Sequence, residues 1–266
     1  MISEKAYAKL NLVLDIVGKR TDGYHDLKSI MVPLELHDTL SFETCESLIV
    51  ECDMDIKNNV VEKAAILFLE KYNIKSGVKI VIEKKIPIGG GLAGGSSNAS
   101  ATLRGLNRFF HVNVELKELE ELANKLGSDT LFCLYNRSAY VYGRGDHIEF
   151  LDYFDLGNVT LICPNFGVST KEIFKNFIKK ANHSFEALLE LYKRGERTEF
   201  IKQSYNDLLG TSLSTYKELD RLYCVLKKDI DNLKMTGSGS TLYYFGEKKR
   251  DIIGKNVKVI ETMLKQ

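Results

Sequence analysis

The chain has 266 residues, 44% of them hydrophobic and 27% charged, with 37 Lys and Arg against 36 Asp and Glu for a formal net charge of +1. That is enough apolar material for one large domain or two ordinary ones without a disulfide or metal staple. The balanced charge lacks the basic surplus of a nucleic-acid binder, so no nucleic-acid partner is expected. Five cysteines form no C-x-x-C pair and no zinc spacing with the five histidines. The N-terminus lacks a signal-peptide layout, and no apolar run approaches ~18 residues. A reduced, cytoplasmic protein with no membrane partner is expected. Lys84-Lys85 and Lys248-Lys249-Arg250 read as solvated surface.

In chain order, Ala6–Val17, Leu27–Leu36, Thr39–Glu43 and Leu48–Asp53 read as strands. Asn58 or Asn59 can cap a helix over Val60–Tyr72, with Val61, Ala64, Ala65, Phe68 and Leu69 on one face. Val78–Glu83 is a short strand, and the glycine-rich segment after it opens into a helix bearing Ala99, Leu103, Leu106 and Phe110. A further helix, Leu116–Leu126, stops at Gly127. Ser138–Tyr142 and His147–Leu151 form a hairpin around Gly143–Asp146. Beyond Gly157 come a strand at Val159–Cys163 and helices at Ser169–Lys180, Phe185–Lys193, Thr198–Gln203 and Ser214–Lys228. A second glycine turn, Thr236–Ser240, lies between strands Leu233–Met235 and Thr241–Phe245. Two α+β domains divided near residue 157 are expected, 1–157 and 158–266.

The segment Pro87-Ile88-Gly89-Gly90-Gly91-Leu92-Ala93-Gly94-Gly95-Ser96-Ser97 lies between a strand and a helix. Glycines let backbone approach a ligand closely, and a following helix N-terminus points N–H groups at an anion. Ser96 and Ser97 add hydroxyls for phosphate oxygens or Mg²⁺. Positions 89, 91 and 94 satisfy G-x-G-x-x-G, but no second strand with a terminal acid follows, and no Gly-Lys-Ser/Thr completes a Walker loop. Phosphate binding is the reading. Lys9, on a strand, can stabilise charge on a transferring phosphoryl group or stand as a surface charge. Asp129, at a helix start, can serve as a general base or as an N-cap. Tyr24-His25 offers a stacking face and a hydrogen-bonding ring, and the second glycine turn either closes on the reacting groups or is a plain hairpin.

Taken together, these segments resemble the GHMP kinase superfamily, which includes galactokinase, homoserine kinase and mevalonate kinase. The resemblance rests on Ala8-Lys9-Leu10-Asn11-Leu12, Arg20-Thr21-Asp22-Gly23-Tyr24-His25, Pro87–Ala99 and the C-terminal glycine turn, and it spans nearly the whole chain. It implies an N-terminal domain like ribosomal protein S5 domain 2 and a C-terminal ferredoxin-like α/β-plait. It also implies transfer of the ATP γ-phosphate, with Mg²⁺, to a small alcohol. Arg-x-Asp-Gly-Tyr-His points to the branch whose acceptor is a cytidyl-diphosphate-linked methylerythritol. On that pattern Lys9 and Asp129 are the catalytic pair, Pro87–Ser97 and Asn59 hold the nucleotide, and Asn11, Tyr24, His25 and Phe174 hold the acceptor. A monomer or weak homodimer is expected. A mevalonate- or homoserine-type kinase, or a silent nucleotide-binding homologue, are the alternatives. The family's Gly-Ala-Asp-Val-Pro-Phe reads Gly-Ser-Asp-Thr-Leu-Phe here, and Ser240 stands where proline or alanine is frequent. Ala93 replaces a common glycine, which requires φ below zero or some strain.

Overall fold

A computed structural model describes residues 1–54, 59–179, 183–249 and 257–266. In chain order these form β1 (Ile2–Lys19), β2 (His25–Cys45), β3 (Ile49–Cys52), α1 (Val60–Lys71), β4 (Gly77–Glu83), α2 (Gly94–Phe109), α3 (Leu116–Leu126), α4 (Thr130–Tyr135), β5 (Ala139–Gly143) and β6 (His147–Phe150). There follow β7 (Asn158–Pro164), α5 (Thr170–Asn176), α6 (Phe185–Lys193), α7 (Arg197–Gln203), α8 (Leu209–Thr215), α9 (Lys217–Leu226), β8 (Lys234–Met235), β9 (Leu242–Phe245) and β10 (Val257–Met263). The α+β expectation stands. Among the described residues, no helix is long and apolar enough to cross a membrane.

The chain gathers into two compact units, the first made of Met1–Ala8, Leu36–Ile86 and Ala93–Asn136 and the second of Lys9–Glu35, Pro87–Leu92 and Arg137–Gln266. The division expected near residue 157 falls inside the second unit, between β6 and β7.

In the first unit, Thr39–Cys45 of β2 pairs antiparallel with β4, and β3 pairs parallel with β4 on its other side. Asn59 caps α1, its side chain accepting from Val61 N at 3.1 Å, whereas Asn58 lies outside the described residues. Val61, Ala64, Ala65 and Phe68 of α1 then join Leu40, Phe42, Ile80, Leu103 and Leu106 in one core. Gly105 on α2 admits the Phe42 ring into space that a side chain would fill.

In the second unit, Leu27–Met31 of β2 pairs with β5, which pairs with β6. A four-stranded antiparallel sheet runs β10-β7-β9-β8. Its core brings Leu14 and Ile16 together with Ile162, Ile173, Leu208, Leu219 and Leu242.

Several expectations need correction. β2 is one strand through residues 37 and 38 instead of two. α5 ends at Asn176, short of the expected Lys180, which lies outside the described residues. The helix expected over Ser214–Lys228 is broken at Tyr216, whose extended backbone (φ −113°, ψ 94°) lets its hydroxyl donate to Glu172 Oε2 at 2.7 Å and accept from Ser169 N at 2.9 Å. α8 precedes the break, although Gly, Ser and Thr are weak helix formers. Its Ser212 Oγ donates to Ser238 O at 2.9 Å, a tertiary bond that propensity cannot register. β10 was not anticipated.

Candidate active site

Lys9 and Asn11 stand two residues apart on β1 and therefore share a face. Lys9 is 3% exposed, so the surface-charge reading fails. Its Nζ donates to Asn11 Oδ1 at 2.6 Å. Asn11 Nδ2 donates to Ser29 Oγ at 2.9 Å, and Ser29 Oγ donates to Val13 O at 2.7 Å. The Asn11 backbone is held as well, its N–H donating to Thr236 Oγ1 at 3.1 Å and its carbonyl accepting from Tyr243 OH at 3.1 Å. Asn11, expected to hold the acceptor, has its side-chain oxygen on Lys9 and its side-chain nitrogen on Ser29. A neutral amide fixes the ammonium's direction without itself carrying charge.

The two glycine turns lie against each other within the second unit. Gly91 has φ +76°, and a Cβ there would sit 2.5 Å from Thr236 O and 2.9 Å from Gly239 O. Thr241 N donates to Gly90 O at 3.2 Å, and a Cβ on Gly237 would lie 3.4 Å from Lys9 Nζ. Only bare backbone fits on both sides. The C-terminal turn is therefore more than a plain hairpin: it packs beside Lys9 and the Pro87–Leu92 stretch. Leu92 is buried and its carbonyl accepts from Lys9 N at 3.2 Å, while Pro87 is half-buried and Ile88 and Gly89 are exposed.

In the first unit the same segment continues into α2. Ala93 adopts the left-handed conformation (φ 56°, ψ 29°), so the strained alternative is the one realised. For an L-residue that costs roughly 1–2 kcal/mol. No side chain caps α2, and its first turn has no acidic residue. Ser97 N already bonds Ala93 O at 2.9 Å, whereas helix geometry leaves Gly94, Gly95 and Ser96 N–H without intrahelical partners. This end suits an anion. Of the two serines, Ser97 is fully buried and donates to Tyr7 O at 2.7 Å; Ser96 is only half-buried.

Beneath that helix start lies an ionic cluster invisible in the sequence. Asp38 is 0% exposed and accepts from Lys85 N (2.7 Å), Ile86 N (2.8 Å), Asn98 Nδ2 (2.9 Å) and Lys84 Nζ. Lys84 Nζ also donates to Asn98 Oδ1 at 3.0 Å and lies 3.3 Å from where a Gly94 Cβ would be. Lys84 is therefore buried structure, not the solvated surface expected of it.

Asp129 stands at the N-cap position of α4, but its side chain makes no capping bond to that helix. The helix behind it is pinned to α2 at both ends. Ser100 Oγ donates to Thr130 O at 2.7 Å, and Arg104 donates to Cys133 O (2.9 Å) and Leu134 O (3.2 Å) while pairing with Glu4. These bonds constrain the backbone where the family's proline is missing.

The aromatic group belongs to the second unit. Arg20 pairs with both Asp22 (3.1 Å) and Asp26 (2.9 Å), and Arg20 N donates to Tyr24 O at 2.8 Å, making a stiff turn that presents Tyr24 53% exposed. Arg144 lies 4.8 Å over the Tyr24 ring. The His25 ring lies 5.3 Å from Phe174 and, edge-on, 6.2 Å from Phe177. Burial, with Lys19 adding, holds the His25 pKa below its ordinary value, favouring the neutral ring. Phe177 was missed, though its spacing of three from Phe174 is a helical signal.

The GHMP kinases N terminal domain family model matches residues 59–137. A Staphylococcus aureus (strain bovine RF122 / ET3-1) protein provisionally named 4-diphosphocytidyl-2-C-methyl-D-erythritol kinase is 39% identical, over 97% of this chain and 94% of its own. A crystal structure of 4-(cytidine 5'-diphospho)-2C-methyl-D-erythritol kinase is similar at TM-score 0.80 and 28% identity, covering 99% of both chains. Methanococcus jannaschii mevalonate kinase is similar at TM-score 0.72 and 14% identity, over 100% of this chain and 98% of that one, a likeness of fold alone. With relatives matched along almost its entire length, the chain belongs to the GHMP kinase family, in the group of the 4-diphosphocytidyl-2-C-methyl-D-erythritol kinases.

Proposed function

We propose that the protein transfers the γ-phosphoryl group of ATP to the 2-hydroxyl of 4-diphosphocytidyl-2-C-methyl-D-erythritol, a step toward isoprenoid precursors. The observation that carries the acceptor assignment is the aromatic group of exposed Tyr24 beside His25, whose ring packs on Phe174, in a chain 39% identical to a relative bearing that name. Tyr24 and Phe174 are assigned to the cytosine faces and neutral His25 to its hydrogen-bonding edge. The helix start at Gly94–Ser96 and the backbone of Pro87–Leu92 are assigned to the ATP phosphates, and Asn59 to the adenine side.

Asp129 is assigned to take the proton from the acceptor hydroxyl. The oxygen then bonds the γ-phosphorus as the bond to the β–γ bridging oxygen breaks and ADP departs. Lys9, aimed by Asn11, would stabilise charge on the phosphoryl oxygens. Among the described residues no group of three or more His, Cys, Asp or Glu is arranged to hold a metal ion. A Mg²⁺ carried mainly by the nucleotide's phosphates, with a hydroxyl such as that of Ser96, fits this donor set. It would supply charge neutralisation.

For function we propose a division near residue 157, with 1–157 binding ATP and 158–266 completing the acceptor side. A cytoplasmic setting and a monomer or weak homodimer complete the proposal. The test is ADP release measured in parallel with the cytidyl substrate, mevalonate and homoserine. Turnover with the first alone is expected, and ATP binding without turnover of it would sink the assignment. Asp129→Asn should lower kcat strongly with ATP affinity nearly unchanged, and near-normal turnover would remove Asp129 as base.

A further inference from the structure

One three-residue stretch of the second unit touches both of its working ends. Tyr205-Asn206-Asp207 lies alongside β1 in parallel, with Leu14 N donating to Tyr205 O at 3.0 Å and Asp207 N donating to Leu14 O at 2.9 Å. From it, two polar side chains run in different directions. Asn206 Nδ2 donates to Met235 O (2.9 Å) and Gly237 O (2.8 Å), while its Oδ1 accepts from Leu208 N at 2.9 Å. The turn so held is the one that packs on Gly91 and Lys9. Asp207, 6% exposed at its side chain, accepts from Ile16 N at 2.9 Å and stands 4.0 Å from Lys179 Nζ. Lys179 donates to Asp15 Oδ1 (3.0 Å) and Ile16 O (2.9 Å). It follows closely on Phe174 and Phe177, the rings packed on His25.

We propose that Asn206 and Asp207 are positioning residues for the phosphoryl transfer: Asn206 sets the 236–240 turn beside Lys9, and Asp207, with Asp15, seats Lys179 and thereby the aromatic arm at Phe174–Phe177. The acceptor half of this rests on the function proposed above. Asn206 is suited to its part because an amide offers donors and an acceptor at once. A carboxylate of the same shape keeps the bond to Leu208 N but turns an acceptor toward two carbonyls. Lys179 is suited to its part because a long, flexible side chain is ordered here by a carboxylate pair and a carbonyl. The arm meets the turn at its first residue, where the Thr170 and Ser238 hydroxyls share a hydrogen bond at 2.8 Å. Lys179 lies at the arm's other end, so cutting its tether is expected to leave that contact and the turn in place.

The two halves therefore separate experimentally. Hydrogen exchange by mass spectrometry on the full chain should show Asn206→Asp opening residues 234–241 and Lys179→Met opening 170–179, each leaving the other segment as in the wild type. In steady state, Asn206→Asp should lower kcat about tenfold, since misplacing a reacting group by about 1 Å is costly. Lys179→Met should raise the acceptor KM about fivefold, the size of one partly exposed ion pair, with kcat nearly constant. Asp207→Asn should follow Lys179→Met, and Lys179→Arg should restore the acceptor KM. Exchange that opens both segments in either variant, or neither, overturns the proposal. Should the wild type fail to use the cytidyl acceptor, the function assigned above fails while the exchange pattern still decides the positioning roles.

Discussion

The buried Asp38–Lys84 pair makes a quantitative prediction about the helix start assigned to the ATP phosphates. Both side chains are almost wholly buried (0% and 3% exposed), and the carboxylate accepts three N–H bonds besides the ammonium. Asp38→Asn keeps the shape but leaves the Lys84 charge without its counter-ion, a change that costs about 3–5 kcal/mol. For a chain of this size that corresponds to a fall in Tm of about 6–20 °C. Lys84→Met should cost less, because Asp38 retains its three N–H donors, whereas Lys84 without Asp38 keeps only Asn98 Oδ1. The double variant should be less damaged than the sum of the singles by more than about 1 kcal/mol, since neither charge is then stranded. Urea and thermal unfolding of the four proteins measure this directly, and ATP KM should rise in Asp38→Asn as the Gly94 backbone shifts. Additivity within about 0.5 kcal/mol, or a loss below about 1 kcal/mol in Asp38→Asn, would refute the reasoning.

Gly91→Ala should place a methyl 2.5 Å from Thr236 O and 2.9 Å from Gly239 O at φ +76°, forcing the two turns apart. Turnover should fall more than thermal stability does, and normal kinetics would show that the turns need not touch. For His25, burial lowers the folded pKa below the unfolded value of about 6.5, so the unfolded state binds more protons between the two and stability rises with pH there. The acceptor KM should accordingly increase as pH falls below about 6.5, with NMR titration of His25 reporting a midpoint below that value; a midpoint above it contradicts the burial argument. Lys234, whose Nζ donates to Ser204 O at 2.8 Å, is pushed down to about 8 by burial. From pH 8 to 10.5 the unfolded chain therefore binds more protons, and wild-type stability should gain up to about 3 kcal/mol relative to Lys234→Met. Parallel stability curves for the two proteins would rule this out.

What the sequence disclosed and what it hid follow from the range of the interactions. Asn59 capping α1, the α1 face and the loop-to-helix junction before α2 are all set by residues within a few positions of one another, and each was legible. Lys84 was misread because its partner Asp38 is 46 residues away, and a lysine beside a lysine looks the same whether buried or wet. Likewise α8 depends on Ser238, 26 residues beyond Ser212. β10 is a different failure, for Val257 and Val259 alternate as a strand should. In the candidate site, residue types single out Lys9 and Tyr24, but the bonds of Asn11 to Ser29 and Thr236 follow from no spacing rule.

The departures from the family's pattern show why an altered motif need not mean an altered site. Thr130-Leu131 replaces the Val-Pro that would stiffen the backbone after Asp129, and the Thr130 hydroxyl is left buried without a hydrogen-bond partner. That orphan carries a cost, roughly 1–3 kcal/mol for a buried polar group. Ser100 and Arg104, both on α2, nonetheless grip the backbone of α4 at its two ends. Ala93 follows the same logic: a residue that prefers negative φ is held at +56° because Leu92 and Ser97 on either side are already buried and bonded. In both places a fixed scaffold overrules the local preference of the substituted residue. The strain then costs stability, while the start of α2, proposed above to hold the ATP phosphates, keeps its helical geometry.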